Sequence, residues 1–452
     1  MASAHVHTTR GWHGPLVRLA KRFVRSESVT ALLARGATGT LAIKVASAAT
    51  AFGVQVLVAR LLGAGSYGAY AYAITWQSFL LIFGTIGFET ASLRFVAEYV
   101  GRRQWTLLRG FLRYSQRTTL QTSVLLALLA CVVIWALRNR LATELTSALV
   151  IAFLILPPNA LLQIRSYSVQ GLKRVLAAQI PRDIVRPLFF GSGVWLAVSL
   201  GHPGTAPLAM TANLVAVLCA LGITTLLLHR AMPAGCRDAT PEYRHKEWLS
   251  VARVLLLVSG LNLVLARIDV LMVGSMISTR DAGIYSVSSL AASFVGFGLS
   301  SVNAIAAPLI ADLHSQGHRR ELQRILLLAA RGVLVFSVLC TIALALGGRY
   351  ALGLFGPEFT SGYYILVILA GGGLINALGG SVGFLMTMTG HQTVAAKVLL
   401  VTAVLNVVLN AVFIQLWGVT GAAIATAVAT LVWNASMNYY AWKHLGVRAT
   451  AI

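Results

Sequence analysis

Between Asp281 and Asp312 the chain carries no charged residue, and between Lys397 and Lys443 it carries none either. Gaps of this length can lie in hydrocarbon without stranding a charge, and about 20 apolar residues are enough for one helical crossing. A closed β-barrel would instead show alternating segments of about ten residues. The runs here are continuously apolar, so the expected fold class is an all-α integral membrane protein. Charged residues make up 11% of the chain and hydrophobic ones 57%. A soluble domain would carry about a quarter charged residues.

Reading runs of about 20 apolar residues predicts about twelve transmembrane helices. The first six cover 37–62, 67–94, 118–137, 145–163, 184–200 and 206–228. The second six cover 248–277, 282–310, 325–346, 364–388, 395–416 and 419–442. The fifth run is crowded at its start by Arg182 and Arg186. The implied organisation is a basic leader (1–36), a first lobe (37–230), a linker (231–247), a second lobe (248–442) and a short tail (443–452). Within the leader, Pro15–Arg25 places Leu16, Leu19, Ala20 and Phe23 on one helical face among basic residues. It reads either as an interfacial helix on anionic lipid or as a plain positive anchor.

The formal net charge of +23 would suggest nucleic acid in a soluble protein. Here Lys and Arg sit between apolar runs, and their bias sets orientation instead. The connections leading from odd to even spans hold only Arg60, Arg138, Arg140, Arg280 and Arg349, while Lys44, Arg94 and Arg267 lie inside spans. The rest of the 36 basic residues fall on the other side, so both termini are expected in the cytoplasm.

The two halves echo each other. Tyr67-Gly68-Ala69-Tyr70 follows Val56-Leu57 as Ala282-Gly283-Ile284-Tyr285 follows Leu271-Met272. Val96-Ala97-Glu98 matches Ile310-Ala311-Asp312, one residue out of step. Six spans separate the copies, which implies two parallel six-helix lobes with pseudo-twofold symmetry about the membrane normal.

Ala59-Arg60-Leu61-Leu62-Gly63 with Tyr67-Gly68, the stretch Gly87-Phe88-Glu89-Thr90-Ala91-Ser92-Leu93-Arg94-Phe95-Val96-Ala97, and Gln170-Gly171 before Lys173-Arg174 resemble bacterial polysaccharide flippases. Those belong to the O-antigen and exopolysaccharide branch of the multidrug/oligosaccharidyl-lipid/polysaccharide exporter superfamily. The resemblance implies a carrier in the bacterial cytoplasmic membrane. It would turn a polyprenyl-pyrophosphate-linked oligosaccharide between leaflets by alternating access, with glycan polymerases or ligases as candidate partners.

The residues carry their own chemistry. A charge at mid-bilayer costs about 2.5–3.5 kcal/mol, so each needs a reason. Lys44 shares a helical face with Ser47 and Gln55, a polar stripe that suits either a wet lumen or a lysine snorkelling to the interface. Arg267 lies between Gly260 and Gly274 on one slim face that leaves room for a ligand or another helix. Asp269 falls on another face with Asn262. Lys44, Arg267 and Arg94 are candidate pyrophosphate-binding residues, since ammonium and guanidinium groups suit phosphate. A structural salt bridge is the alternative for Arg267 and Asp269. Glu89, with Thr85 one turn earlier, and Asp269 are candidate ion-coupling groups. Asn303, Asn376, Asn406 and Asn410 read as interhelical hydrogen-bonding groups. Pro157-Pro158, Pro308, Gly371–Gly373 and Gly379-Gly380 read as bends. Tyr67, Tyr70, Trp76 and Tyr285 could stack on sugar or sit in the interfacial belt. No metal cluster, nucleotide loop, nucleophile motif, disulfide framework or nucleic-acid patch stands out, so neither a cofactor nor enzyme chemistry is expected.

Three other functions compete. A cation-coupled multidrug exporter of the same superfamily would rely on carboxylates, whereas the intramembrane charges here lean basic. A glycan polymerase or ligase would be expected to carry a large outer loop. A peptidoglycan-precursor flippase would be expected to have fourteen spans.

Overall fold

A computed structural model describes residues 29–316, 319–446 and 450, without the side chains of 29–44, 304–309, 311–312, 314–315 and 319–320. The interfacial segment expected at 15–25 lies outside the described residues, and so does the side chain of Lys44. Among the described residues every regular element is helical.

The first half comprises α1 (Val29–Thr85), α2 (Phe88–Gly101), α3 (Trp105–Leu137), α4 (Thr143–Leu154), α5 (Leu156–Gly171), α6 (Val175–Ile180), α7 (Arg186–Ser199) and α8 (Ala206–Ala231). A short α9 (Ala234–Asp238) sits in the linker. The second half comprises α10 (His245–Met276), α11 (Thr279–Ala292), α12 (Phe294–Ser315), α13 (Arg319–Gly353), α14 (Tyr363–Gly379), α15 (Val382–Met388) and α16 (Gln392–Leu445).

Among the described residues seven helices are long and apolar enough to cross a membrane, and nine when each of two bent pairs counts as one span. Two of the seven each join two helices across a kink. Gly63 interrupts α1 with φ 72°, a left-handed value that glycine adopts without steric cost. Trp417 and Gly418 interrupt α16. This criterion therefore returns fewer separate elements than the twelve crossings expected. The apolar runs largely coincide with helices, but the helices extend past them: α3 begins at Trp105 and α10 at His245.

The bends fall partly where proline requires them. α4 and α5 meet at 40°, just ahead of Pro157-Pro158, whose nitrogens return no hydrogen bond to the previous turn. Gly380, with φ 65°, ends α14. Other expected bends lie elsewhere. The run Gly371–Gly373 stays inside the continuous α14, and the eighth span breaks at Ser293 with a 47° bend between α11 and α12.

The sequence repeat has a direct structural counterpart. Gly68 of α1 and Gly283 of α11, equivalent positions of the two copies, pack against each other. A Cβ added at Gly283 would meet Gly68 Cα at 2.7 Å and Ala64 O at 3.0 Å. Equivalent positions of a twofold repeat can touch only near its axis, so this crossing marks the pseudo-twofold axis. Around it, Glu358 accepts from Ala64 N at 3.0 Å and approaches Arg280 at 3.7 Å. Arg60 donates to Leu354 O, and Tyr67 meets Phe359 edge-on at 5.7 Å. These contacts close the halves together at the end far from the linker.

At the linker end the join is different. Trp248, fully buried in the first turn of α10, donates from Nε1 to Tyr99 OH at 2.8 Å. Glu242 N donates to Thr106 O at 3.1 Å, and Arg109 donates to Ala239 O. The linker and the start of α10 are thus built onto the first half. Further along, α10 delivers Asp269 to helix α16 of the second half. α10 therefore belongs to both halves.

Candidate functional site

Two polar clusters lie in the two halves. The first is cationic and is organised by Arg186. A π-helical turn over Pro181–Val185 precedes α7, and Arg186 N–H closes it onto Pro181 O. Pro187 brings no N–H to this turn, and widened turns of this kind re-aim side chains at functional sites. The half-buried Arg186 donates to Asn159 Oδ1 at 3.4 Å and Asn213 Oδ1 at 3.2 Å. Both partners are neutral amides, so no carboxylate pairs with this guanidinium among the described residues, and Asp183 acts on it only electrostatically, from its pair with Arg182. Its neighbour Arg182 forms a two-point pair with Asp183 at 2.7 and 3.1 Å and lies over the Tyr167 ring, so that charge is balanced.

Near Arg186 stands Tyr70, stacked on Phe190 at 5.4 Å; its ring centre is 5.9 Å from that of Tyr67, which donates to Gln55 Oε1 at 3.0 Å. Arg186 and Arg267 both act electrostatically on Tyr70, and Arg267 also on Tyr67. Arg267 therefore reaches from α10 toward the first half, and Tyr70 is within electrostatic reach of both guanidinium groups. Among the described residues Arg267 makes no hydrogen bond or ion pair. Its slim face packs on α1: a Cβ at Gly274 would meet Tyr72 Cε2 at 2.6 Å, and one at Gly260 would meet Ile82 at 4.0 Å. The salt-bridge alternative for Arg267 finds no partner here.

The second cluster is acidic and lies inside the second half. Asp269 is 4% exposed. It accepts from Tyr285 OH at 2.7 Å, Thr426 Oγ1 at 2.7 Å and Asn410 Nδ2 at 2.9 Å. No cationic side chain pairs with it among the described residues. Asn406 Oδ1 and Asn410 Oδ1 are buried nearby on α16 without a hydrogen-bond partner among the described residues. These are oxygen donors of the type that hard cations prefer.

The remaining candidates are placed differently from the sequence expectation. Asn262 is exposed and donates to Val258 O at 2.8 Å, so it does not join Asp269. Helical spacing put both on one face, but α10 changes neighbours along its length. Arg94 is exposed, with its guanidinium 5.6 Å from the Phe95 ring centre. Gly87 packs on Ala252 and Leu256, and Arg267 is about 16 to 22 Å further along α10 at 1.5 Å per residue. Arg94 lies beyond Gly87 in the other direction, so the two arginines cannot hold one pyrophosphate together. Glu89 is half-buried near Thr85 and interacts electrostatically with Arg182. Ser47 Oγ is buried without a hydrogen-bond partner among the described residues. Gln55 turns to Tyr67.

Tyr67, Tyr70 and Tyr285 are buried rather than interfacial, and Trp76 is 38% exposed. Asn376 bonds Asn434 across helices at 3.1 Å, as Asn410 bonds Asp269. Asn303 Oδ1 and both polar side-chain atoms of Asn406 have no hydrogen-bond partner among the described residues. By sequence Arg186 falls among the basic residues at the cytoplasmic edge of the fifth span. Its signal was there: it crowds the start of the least regular span, between Pro181 and Pro187.

An apolar cavity of about 410 Å³ lies between α1 and α10, lined by Phe79, Phe83, Leu257, Gly260 and Val264, with Arg253 among its lining. Among the described residues no group of three His, Cys, Asp or Glu could hold a metal ion.

The sequence signature of the family described as "Polysaccharide biosynthesis protein" matches residues 33–314, more than half of the chain. A "Probable low-salt glycan biosynthesis flippase Agl15" of Haloferax volcanii is 22% identical over 161 residues. That alignment covers 35% of this chain and 34% of the relative. The chain thus spans about a third of the length of that curated relative. Among solved structures, "Lipid II flippase MurJ, inward closed conformation" superposes with a TM-score of 0.65 at 16% identity, over 88% of this chain and 86% of that one. An inward-facing multidrug resistance MATE family transporter of the MOP superfamily gives 0.68 at 14% identity, over 88% and 94%. A MOP superfamily transporter from Pyrococcus furiosus, described as having a binding pocket of reverse polarity, gives 0.61 at 12% identity, over 88% and 94%. At these identities the superpositions establish the fold alone.

Proposed function

The chain belongs to the polysaccharide biosynthesis protein family, and from that premise we propose that it flips a polyprenyl-pyrophosphate-linked oligosaccharide across the bacterial cytoplasmic membrane. The single observation that carries this reading is the charge between the halves. Arg186 and Arg267 both act electrostatically on Tyr70, and Arg267 also on Tyr67; neither arginine is paired with a carboxylate among the described residues. A cleft built this way repels organic cations and suits the two phosphates of the headgroup, because a guanidinium presents a planar fork of donors. Lys44 stays a candidate third cation on its sequence position. The apolar cavity beside Phe79 and Leu257 offers a surface for the prenyl chain.

The energetics favour an outward route for such a cargo. An inside-negative potential drives a negative charge outward by about 2.3 kcal/mol per 100 mV, provided the empty carrier returns without net charge movement. Asp269 is the proposed second contributor, as a proton or cation site coupled to the return. The carrier works without chemistry on the glycan itself.

The orientation rests on the Lys and Arg bias, with the linker and both termini in the cytoplasm. In cells, reporter fusions at Gly204 and Leu354 should read as extracytoplasmic and fusions at Gly235 and Gln316 as cytoplasmic. In the same cells, removal of the protein should leave the lipid-linked glycan on the cytoplasmic leaflet and halt polysaccharide export. Inverted fusions would overturn the orientation. Normal export without the protein, with no other flippase active, would overturn the function.

A further inference from the structure

A second basic site lies away from the cleft, at the linker end of α3. Arg109, Arg113 and Arg117 recur every four residues on this helix. Arg113 and Arg117 are exposed and make no hydrogen bond or ion pair among the described residues. Together with Tyr114, Gln116, Tyr243 and His245 they line a cavity of about 830 Å³. A neighbouring cavity of about 380 Å³ shares Arg113 and Gln116 and adds Arg109, Arg237 and His229. Neither lining contains a carboxylate. The nearby acids are engaged: Glu242 and Glu247 both face Arg244, at 3.6 and 3.7 Å.

The outer wall is aromatic. Tyr114 meets His245 edge-on at 4.4 Å, and Tyr243 stacks on His245 at 5.2 Å. These rings have an apolar body and a polar edge, the chemistry of a membrane–water boundary. Above the arginines the same helical stripe continues as Leu120, Val124 and Leu128, exposed by 40%, 39% and 61%, at the spacing of one helix face. Free guanidinium groups thus lie directly beneath a lipid-facing apolar stripe.

We propose that this groove binds an anionic phospholipid, its phosphate between Arg113 and Arg117, its headgroup against Tyr243 and His245, and its acyl chains along Leu120, Val124 and Leu128. The continuity with the lipid-facing stripe selects a resident lipid over the cargo, because the cleft cations Arg186 and Arg267 lie on other helices. The site does not depend on which glycan is carried. It joins α3 to the first residue of α10, where the linker is already strapped by Glu242 and Arg109. A bound headgroup therefore braces the start of the second half against the first.

The test is equilibrium binding of short-chain phosphatidylglycerol and phosphatidylcholine to the purified full chain in neutral detergent, read by native mass spectrometry. The wild type should bind phosphatidylglycerol well above phosphatidylcholine. Arg113→Ala/Arg117→Ala should weaken phosphatidylglycerol binding about 30-fold, from roughly a fivefold loss per cation near the surface. Arg113→Lys/Arg117→Lys should keep most of it. Equal binding of the two lipids by the wild type would overturn the proposal without recourse to any variant. So would unchanged phosphatidylglycerol binding by the Ala pair. Displacement of phosphatidylglycerol by inorganic pyrophosphate at equal concentration would assign the groove to a soluble phosphate compound instead, and would also overturn it.

Discussion

Arg267→Ala should cut glycan export about 10- to 100-fold while the protein reaches its normal level in the membrane. A hydrogen bond to a charged group is worth about 1.5–3 kcal/mol, which corresponds to that range. The normal level follows from two observations. Among the described residues Arg267 has no partner to strand, and removing an intramembrane charge relieves a cost of insertion. Arg267→Lys should recover export only in part, because an ammonium lacks the planar fork. Arg186→Ala should also impair export, but with a lower protein level. Its loss leaves the oxygens of Asn159 and Asn213 without their donor, and an unmet buried polar group costs about 1–3 kcal/mol. Export and protein abundance measured side by side separate the two arginines. A fall in abundance for Arg267→Ala, recovered by a second substitution on another helix, would return Arg267 to a structural role.

The second large effect is expected at Asp269, where two substitutions should diverge. Asp269→Ala strands three donors at once, on Tyr285, Thr426 and Asn410. At about 1–3 kcal/mol each, the loss approaches the whole stability of a typical fold, about 5–15 kcal/mol, so little folded protein should remain. Asp269→Asn keeps the shape. Its oxygen can still accept from Asn410, and a hydroxyl of Tyr285 or Thr426 can turn to accept from its amide. The protein should therefore accumulate normally. An amide cannot take up a proton or hold a cation by charge, so gradient-driven transport should be lost while exchange down a substrate gradient persists. Transport by Asp269→Asn with unchanged dependence on the ion gradient would remove Asp269 from the coupling scheme.

Much of the fold was legible because membranes constrain sequences strongly. Charge-free runs marked helices, and the repeat around Gly68 and Gly283 placed two positions that prove to touch. What failed depended on tertiary path. Periodicity cannot tell that Asn262 turns to its own helix while Asp269 meets Asn410 and Thr426, since those partners lie far along the chain on α16. The slim face of Gly260 and Gly274 was readable, but not that Tyr72 and Ile82 fill it. By sequence Arg186 falls among the basic residues at a span's edge, because edge and interior differ there by only one or two turns. The π turn that redirects it leaves no periodic trace.

The most direct test of the central claim is leaflet exchange of a tagged polyprenyl-pyrophosphate oligosaccharide in proteoliposomes holding the purified chain. The tagged lipid should become accessible from the opposite leaflet at a rate proportional to protein content, and Arg186→Ala/Arg267→Ala should abolish that rate at equal reconstitution. Exchange no faster than in protein-free liposomes, or as fast with the double variant as with the wild type, would contradict a flippase whose paired cations hold the headgroup.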